Sequence, residues 1–173
     1  MAVIAKSLDV VVLLKLLIAE AGKPYAELSR ELGISASEIH AAVHRGVDAG
    51  LLDGAARRPL LKPLEEYLIH GVRYAFPARR GPVARGIPTA YAASPLAEYL
   101  GMDDLPPVWP DPEGTVKGFA LEPLHPAVPK ASRQDSKLYE LLALVDALRI
   151  GRSRDRKLAD LELKKRITHA VSH

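Results

Sequence analysis

The sequence contains no cysteine among its 173 residues. This absence excludes disulfide bonds, thiolate metal sites and cysteine catalysis, and it fits a reducing compartment. Long apolar runs are also missing, because Lys15, Glu20 and Lys23 interrupt the N-terminal apolar stretch too early for a membrane span. The same stretch lacks the basic region and the cleavage site of a signal peptide. We therefore expect a cytoplasmic protein that does not contact a membrane.

An excess of charge of one sign is also missing. The net charge is only +3, and residues 1–75 carry 9 Lys and Arg against 9 Asp and Glu. The positive excess lies in residues 131–173, which carry 10 basic and 6 acidic residues. Any DNA affinity of the N-terminal part must therefore come from the direction of individual charges, because bulk attraction is absent.

Enzymatic motifs are absent as well. The sequence has neither of the phosphate-binding patterns G-x-x-x-x-G-K-[ST] and G-x-G-x-x-G, and it has no G-x-S-x-G nucleophile elbow. His40 and His44 have the four-residue spacing with which two imidazoles can share a metal, but the H-E-x-x-H pattern is missing. We expect no enzyme activity, no metal and no cofactor.

What the sequence does contain is a helix-turn-helix pattern in residues 24–52. Pro24 suits the first turn of a helix, and Gly33 suits the left-handed position that ends it. Ser35 followed by Glu38 is a capping box, which predicts that a second helix starts almost at once. That helix should direct Ile39, Val43 and Val47 inward and end at Ala49-Gly50. The pattern predicts two short helices at a tight corner.

This segment resembles the winged helix-turn-helix of MarR-type bacterial regulators, over residues 5–62. The resemblance rests on Ala26-Glu27-Leu28-Ser29, on Leu32-Gly33-Ile34-Ser35 and on Ala49-Gly50-Leu51-Leu52. It implies that the second helix enters the major groove of double-stranded DNA. Winged helices also serve purely as protein-interaction modules, so this alternative stays open.

Two groups of residues are the predicted DNA contacts. On the second helix we expect an exposed face that reads base edges or phosphate: Ser35, Ser37, His40, His44 and Arg45. Leu51-Leu52 and Leu60-Leu61 are predicted wing strands, joined by a turn that carries Arg57 and Arg58 as phosphate contacts. The alternative is a solvated helix face beside an ordinary basic loop.

A helix from Ser7 to about Ala21 precedes the motif and is apolar nearly all the way round, with Asp9 and Lys15 as polar interruptions. Such a helix needs two packing partners, which could be the C-terminal helices or a second subunit. A helix opened by Pro63 is expected to run from Leu64 to His70.

The middle segment changes in character. It holds 11 of the 14 prolines between Pro77 and Pro129, so long regular elements are excluded. We expect strands at Val72–Phe76 and Thr115–Ala120 and a short helix from Ser94-Pro95 to Leu100. Several arginines lie among its aromatic and glycine residues and could contact a protein partner or a nucleic-acid strand: Arg73, Arg79, Arg80 and Arg85. Trp109, Tyr91 and Phe76 could instead surround an effector pocket.

The C-terminal segment is predicted to form two helices that begin near Ser136 and Ser153 and are separated by Gly151. Leu138, Leu142 and Val145 belong to an apolar stripe that could pair across a two-fold axis or cover the N-terminal core. The basic run between the helices contains Arg152, Arg154 and Arg156, which could bind a partner or nucleic acid, or form a solvated face.

The expected fold is mainly α with a small β wing. It comprises a winged helix-turn-helix at 1–75, a proline- and aromatic-rich extension with short strands at 76–130, and C-terminal helices for dimerisation or partner binding at 131–173. The expected function is a sequence-specific, homodimeric regulator of transcription, acting as a repressor. The alternative is an interaction protein or antitoxin that neutralises a partner such as a cognate toxin, because residues 70–96 and 138–159 faintly resemble the helix-turn-helix partners in such gene pairs.

Overall fold

The computed structural model describes residues 5–101 and 103–170. The helices are α1 (Ser7–Ile18), α2 (Tyr25–Leu32), α3 (Ala36–Asp48), α4 (Leu61–His70), α5 (Val72–Ala75), α6 (Ala97–Leu100), α7 (Val128–Gln134), α8 (Ser136–Ile150) and α9 (Ser153–His169), with a 3-10 turn at Ala90–Ala92. The strands are β1 (Leu52–Asp53), β2 (Arg58–Pro59), β3 (Val83–Pro88), β4 (Pro107–Pro110) and β5 (Val116–Ala120). The described chain is mainly helical with little sheet, as predicted.

The N-terminal part has three helices followed by a hairpin. β1 and β2 pair antiparallel, with Leu52 opposite Pro59 and Asp53 opposite Arg58. Each of these strands is two residues long. The strands are as long as predicted but lie closer to the turn than Leu51-Leu52 and Leu60-Leu61, and Leu61 instead begins α4.

Helix α1 is buried almost completely, as its apolar composition predicted. Its residues from Leu8 to Leu17 are all buried, and the helix packs between α3 and α8. The two partners that such a helix needs are thus supplied by the same chain, so burial of α1 does not require a second subunit.

Lys15 is the buried charge in the second half of α1, and two carboxylates hold it. Its Nζ lies 2.8 Å from Glu31 Oε2 on α2 and 2.8 Å from Asp135 Oδ2, where Asp135 is the N-cap of α8. Burial alone would lower the pKa of Lys15, but the hydrogen bonds to Asp135 and Glu31 outweigh it and raise the pKa above its ordinary value. This cluster ties three helices together.

Acid is expected to weaken this cluster through Glu31. Hydrogen bonds from Lys15 and Lys23 lower the pKa of Glu31 below its ordinary value of 4.5. A carboxyl group with a lower pKa in the folded state stabilises the fold above its ordinary pKa, and this stabilisation is lost as the pH falls through the folded value. Urea unfolding measures the free energy of unfolding at neutral pH and below about pH 4. Between these two conditions the wild type should lose more of this free energy than Glu31→Gln does. Equal losses would contradict this assignment.

The proline-rich middle forms a small closed sheet. β3 pairs antiparallel with β4 and with β5, and β4 and β5 pair in parallel. Gly86 allows the strands to approach, because a Cβ there would lie 1.9 Å from the carbonyl oxygen of Trp109. β5 confirms the predicted strand at Thr115–Ala120, and α6 falls within the predicted short helix.

The strand predicted at Val72–Phe76 is wrong, because the segment forms helix α5. Phe76 N donates to Val72 O at 2.8 Å, Val72 is fully buried, and Tyr74 is 74% exposed. Val72, Tyr74 and Phe76 alternate with other residues, which is the spacing of a strand. Val72 and Phe76 are also four residues apart, which is helical spacing. Their side chains therefore lie on one side of the segment, and α5 packs against α8.

A buried carboxylate joins the sheet to α8. Asp146 Oδ2 accepts hydrogen bonds from Trp109 Nε1 and Thr89 Oγ1, each at 2.7 Å, and Asp146 Oδ1 accepts one from Arg149 Nη1 at 2.8 Å. Burial raises the pKa of Asp146, and the bond from Arg149 acts in the opposite direction. Trp109 is 1% exposed, so it belongs to the core. Neither of the two clefts that open elsewhere on the described residues is lined by Trp109, Tyr91 or Phe76, so an effector pocket around Trp109 stays a prediction.

Helix α8 starts at Ser136 and is followed by α9 from Ser153, as predicted. Every residue from Leu141 to Leu148 is buried within the single chain, because α1, α5, α7 and α9 surround the helix. The apolar stripe that could have paired across a two-fold axis instead covers the core of the same chain, which was the alternative, so a homodimer would have to use another surface. The hydrophobic core runs continuously through all three predicted segments.

Candidate nucleic-acid interface

The corner between α2 and α3 forms as the sequence predicts. Gly33 ends α2 in the left-handed conformation, with φ of 70°, and its N–H donates to Ser29 O at 2.9 Å. Glu38 N donates to Ser35 Oγ at 3.3 Å, and Ser35 N donates to Glu38 Oε2 at 3.4 Å. Hydrogen bonds from Ser35 lower the pKa of Glu38, so this box holds a carboxylate at the start of α3.

Helix α3 buries one face and exposes the other. Ile39, Ala42, Val43 and Gly46 face the core. Val47 was predicted to face inward, but it is 38% exposed and packs beside the hairpin turn at Gly54. The solvent-facing side presents three of the predicted contact residues, namely Ser37, His40 and His44.

These histidines belong to a row of neighbouring rings whose planes are tilted to one another by 56° and 59°. The ring centroids of His40 and His44 lie 4.5 Å apart, and the ring of Tyr25, from the first turn of α2, lies 5.5 Å from that of His40. The guanidinium of Arg57 lies 4.6 Å from the Tyr25 ring centroid. We call Arg57, Tyr25, His40 and His44 the stacked row. It joins α2, α3 and the hairpin on one surface.

Arg57 adopts an unusual backbone conformation. Its φ is +50°, a region that residues other than glycine rarely occupy. Its Nη1 atom is buried and has no hydrogen-bond partner in the described part of the chain. Strained backbone and unpaired polar atoms concentrate at functional sites, so Arg57 is the strongest of the predicted phosphate contacts.

Arg45 is not available for DNA, contrary to our prediction. Its side chain turns back to α1 and forms a bidentate ion pair with Asp9, with Nε 2.9 Å from Oδ2 and Nη2 2.7 Å from Oδ1. Asp9 is 4% exposed. The hydrogen bonds to Asp9 raise the pKa of Arg45. Arg45 lies at the edge of the exposed face of α3, where its guanidinium can reach the buried carboxylate of Asp9 on α1.

Arg58 was also predicted to contact phosphate, but its side chain binds the end of α1 instead. Its Nη1 donates to the carbonyl oxygens of Ala19 at 2.7 Å and Leu16 at 3.1 Å. These carbonyls end α1 and lack helical partners, so a cation that binds them caps the helix and complements its dipole. Arg58 therefore fixes the hairpin to α1, whereas its neighbour Arg57 lies over the ring of Tyr25 on α2.

The other predicted basic contacts do not join the stacked row. Arg73 stacks on Tyr74 at 5.0 Å and Arg80 on Phe119 at 4.2 Å, whereas Arg85 lies on β3 opposite Lys117. Exposed Arg79 lies in the loop before β3. At the α8–α9 corner, Arg152 and Arg154 are exposed and Arg156 is half-buried. These arginines lie in the middle segment and at the C-terminal corner.

Tyr25 is the site residue that sequence reasoning missed. In the sequence it stands directly after Pro24, at the start of the predicted first helix. Its position at the first residue of α2 places its ring beside the exposed side of α3, because the two helices cross directly after Gly33. A tyrosine at the exposed start of a predicted helix-turn-helix is the only sequence signal that could have found it.

No protein-family model, curated protein or solved structure matches this chain. Among the described residues, no group of three or more His, Asp and Glu side chains could hold a metal ion. In the same residues, no helix combines the length and the apolar character needed to cross a membrane. The function must therefore be argued from the geometry of the stacked row.

Proposed function

We propose that this protein is a sequence-specific DNA-binding regulator of transcription, built on a winged helix-turn-helix and acting as a dimeric repressor in the cytoplasm. The observation that carries the proposal is the stacked row. It combines the exposed side of a capped helix at a tight helical corner with an arginine from the adjoining hairpin.

Each residue of the row has a role that suits DNA. His40 and His44 offer ring nitrogens to base edges, and Ser37 offers a hydroxyl one helical turn before His40. Arg57 and the Tyr25 hydroxyl would contact phosphate, which fixes the register of α3 in the major groove. Occupancy of an operator would then block polymerase sterically.

The test separates base reading from phosphate contact. From a randomised duplex library the wild type should select one motif. His44→Ala and His40→Ala should then each lose about 1 kcal/mol of discrimination between this motif and its single-base variants. Arg57→Ala should instead weaken binding to all duplexes similarly. It should also reduce the slope of log affinity against log salt concentration by about one. Arg73→Ala is the matched control, because Arg73 also stacks on a tyrosine but lies outside the row. Unchanged base preference in both histidine variants would refute the assignment.

An interaction protein or antitoxin is the second candidate function, and one observation favours it. Intrachain hydrogen bonds occupy the guanidinium groups of Arg45 and Arg58. The exposed face of α3 therefore carries the acids Glu38 and Asp48 and no free Lys or Arg. Such a face attracts phosphate weakly and suits a protein surface. If no duplex is selected from the library, this candidate replaces the first.

A further inference from the structure

A cleft opens on the side of the molecule where α1 ends. The end of α1, the first turn of α8 and the last turn of α9 surround it, and Arg58 lines it as well. Its volume is about 730 Å³, which falls in the range of sites that bind small molecules. We call it the α1–α8–α9 cleft.

The cleft has an apolar floor. Leu17 and Leu141 are core residues that reach it from α1 and α8, and half-buried Ile18 adds a third apolar side chain. An apolar floor of this kind gains free energy by excluding water when an apolar group covers it. The apolar part of a ligand would lie here.

The charged groups around the cleft leave a positive excess. Arg166 pairs with Glu140 at 3.0 Å and with Glu162 at 2.6 Å, so these charges compensate one another, and Lys165 shares Glu162. Arg58 and Lys137 have no carboxylate of the described residues within ion-pair distance, and exposed Glu20 is the one uncompensated acid.

Two uncompensated cations against one acid favour an anionic group. The guanidinium of Arg58 donates to α1 carbonyls through Nη1 and keeps its positive charge. Lys137 is exposed in the first turn of α8, where the helix dipole also favours an anion. A carboxylate or sulfonate near these residues would complete the balance of charge.

We propose that the α1–α8–α9 cleft binds a small amphipathic monoanion. The apolar body lies on Leu17, Ile18 and Leu141, and the anionic group lies between Arg58 and Lys137. Aliphatic or aromatic carboxylic acids are the class of ligand that this arrangement selects. Cations of the same shape are excluded by the positive excess.

The test uses the full chain and the fluorescent probe 8-anilinonaphthalene-1-sulfonate, which combines aromatic rings with one sulfonate. The folded wild type should bind it saturably at one site per chain, and octanoate should displace it, whereas octylammonium should not. Lys137→Glu should weaken probe binding about threefold or more. Lys157→Glu is the matched control, because it makes the same charge change on α9 more than two helical turns before Lys165, the first α9 residue that lines the cleft. It should leave probe binding unchanged.

Ile18→Trp supplies a steric test, because its larger side chain should cover part of the apolar floor and weaken saturable binding. Circular dichroism of each variant verifies that the fold is retained. The proposal is overturned if the wild type shows no saturable binding, if octylammonium competes as well as octanoate, or if both Lys137→Glu and Ile18→Trp bind as the wild type does. Because no DNA is present, these outcomes are independent of the DNA-binding proposal.

Discussion

Replacing Asp146 by alanine is expected to lower the free energy of unfolding by about 3–5 kcal/mol, the cost of breaking a buried ion pair. The change leaves the Arg149 side chain, which is 5% exposed, without a counter-ion. It also removes the acceptor for Trp109 Nε1 and Thr89 Oγ1. Urea unfolding monitored by circular dichroism measures the loss as a lower transition midpoint.

Asp160→Ala is the matched control for this prediction. Asp160 pairs with Lys164 on the surface of α9, so its removal should cost at most about 1 kcal/mol. Replacing Asp146 and Arg149 together by leucine and methionine should recover much of the lost stability, because the desolvation cost of both charges disappears. A loss for Asp146→Ala no larger than that of the control would contradict this account of the core.

Arg45→Ala is expected to lower the free energy of unfolding by about 2–3 kcal/mol, because it leaves buried Asp9 unpaired. The same change should leave the base preference of DNA binding unaltered, since the Arg45 guanidinium binds α1. Urea unfolding and duplex selection measure the two effects separately. His44→Ala, one residue away, should give the opposite pattern of near-normal stability and altered preference.

Leucine at both positions 9 and 45 provides the complementary experiment. The double variant should be more stable than Arg45→Ala, because it removes the buried charge as well as its partner. A stable Arg45→Ala variant with relaxed base preference would instead return Arg45 to the DNA-contacting face of α3.

The helix-turn-helix could be predicted because its signals are local. Gly33 specifies the left-handed residue that ends α2, and the Ser35–Glu38 box fixes the start of α3 within four residues. The apolar residues of α3 lie at helical spacing, so its buried face was largely correct. Only Val47 was misplaced: it is 38% exposed, because it lies beside the hairpin turn at Gly54, which covers it only in part.

The destinations of the charged side chains depend on contacts between distant residues. Arg45 and Arg58 look like exposed cations in sequence, but α1 supplies a carboxylate to one and free carbonyls to the other. The signal lay in α1, because Asp9 and Lys15 on an otherwise apolar helix both required partners after burial. Sequence alone shows that partners are needed, but it does not identify them.

The small sheet of the middle segment was predicted only at β5. β3 contains Gly86 and Pro88, which weaken the usual alternation of strand residues, and β4 begins and ends with proline. These strands persist because each is paired in a closed sheet, and Trp109 on β4 anchors that sheet to α8 through Asp146. Tertiary contacts therefore override weak local preference.

The central claim is that the stacked row reads DNA. It is tested most directly by titrating the labelled duplex upstream of the protein's own gene, and a scrambled duplex of equal length, at two salt concentrations. We predict at least about a thousandfold tighter binding to the upstream duplex, as is typical of specific regulators. The salt dependence should be shallow, because Arg57 is the one cation of the row. Equal affinity for the two duplexes, or binding to neither, would contradict the claim.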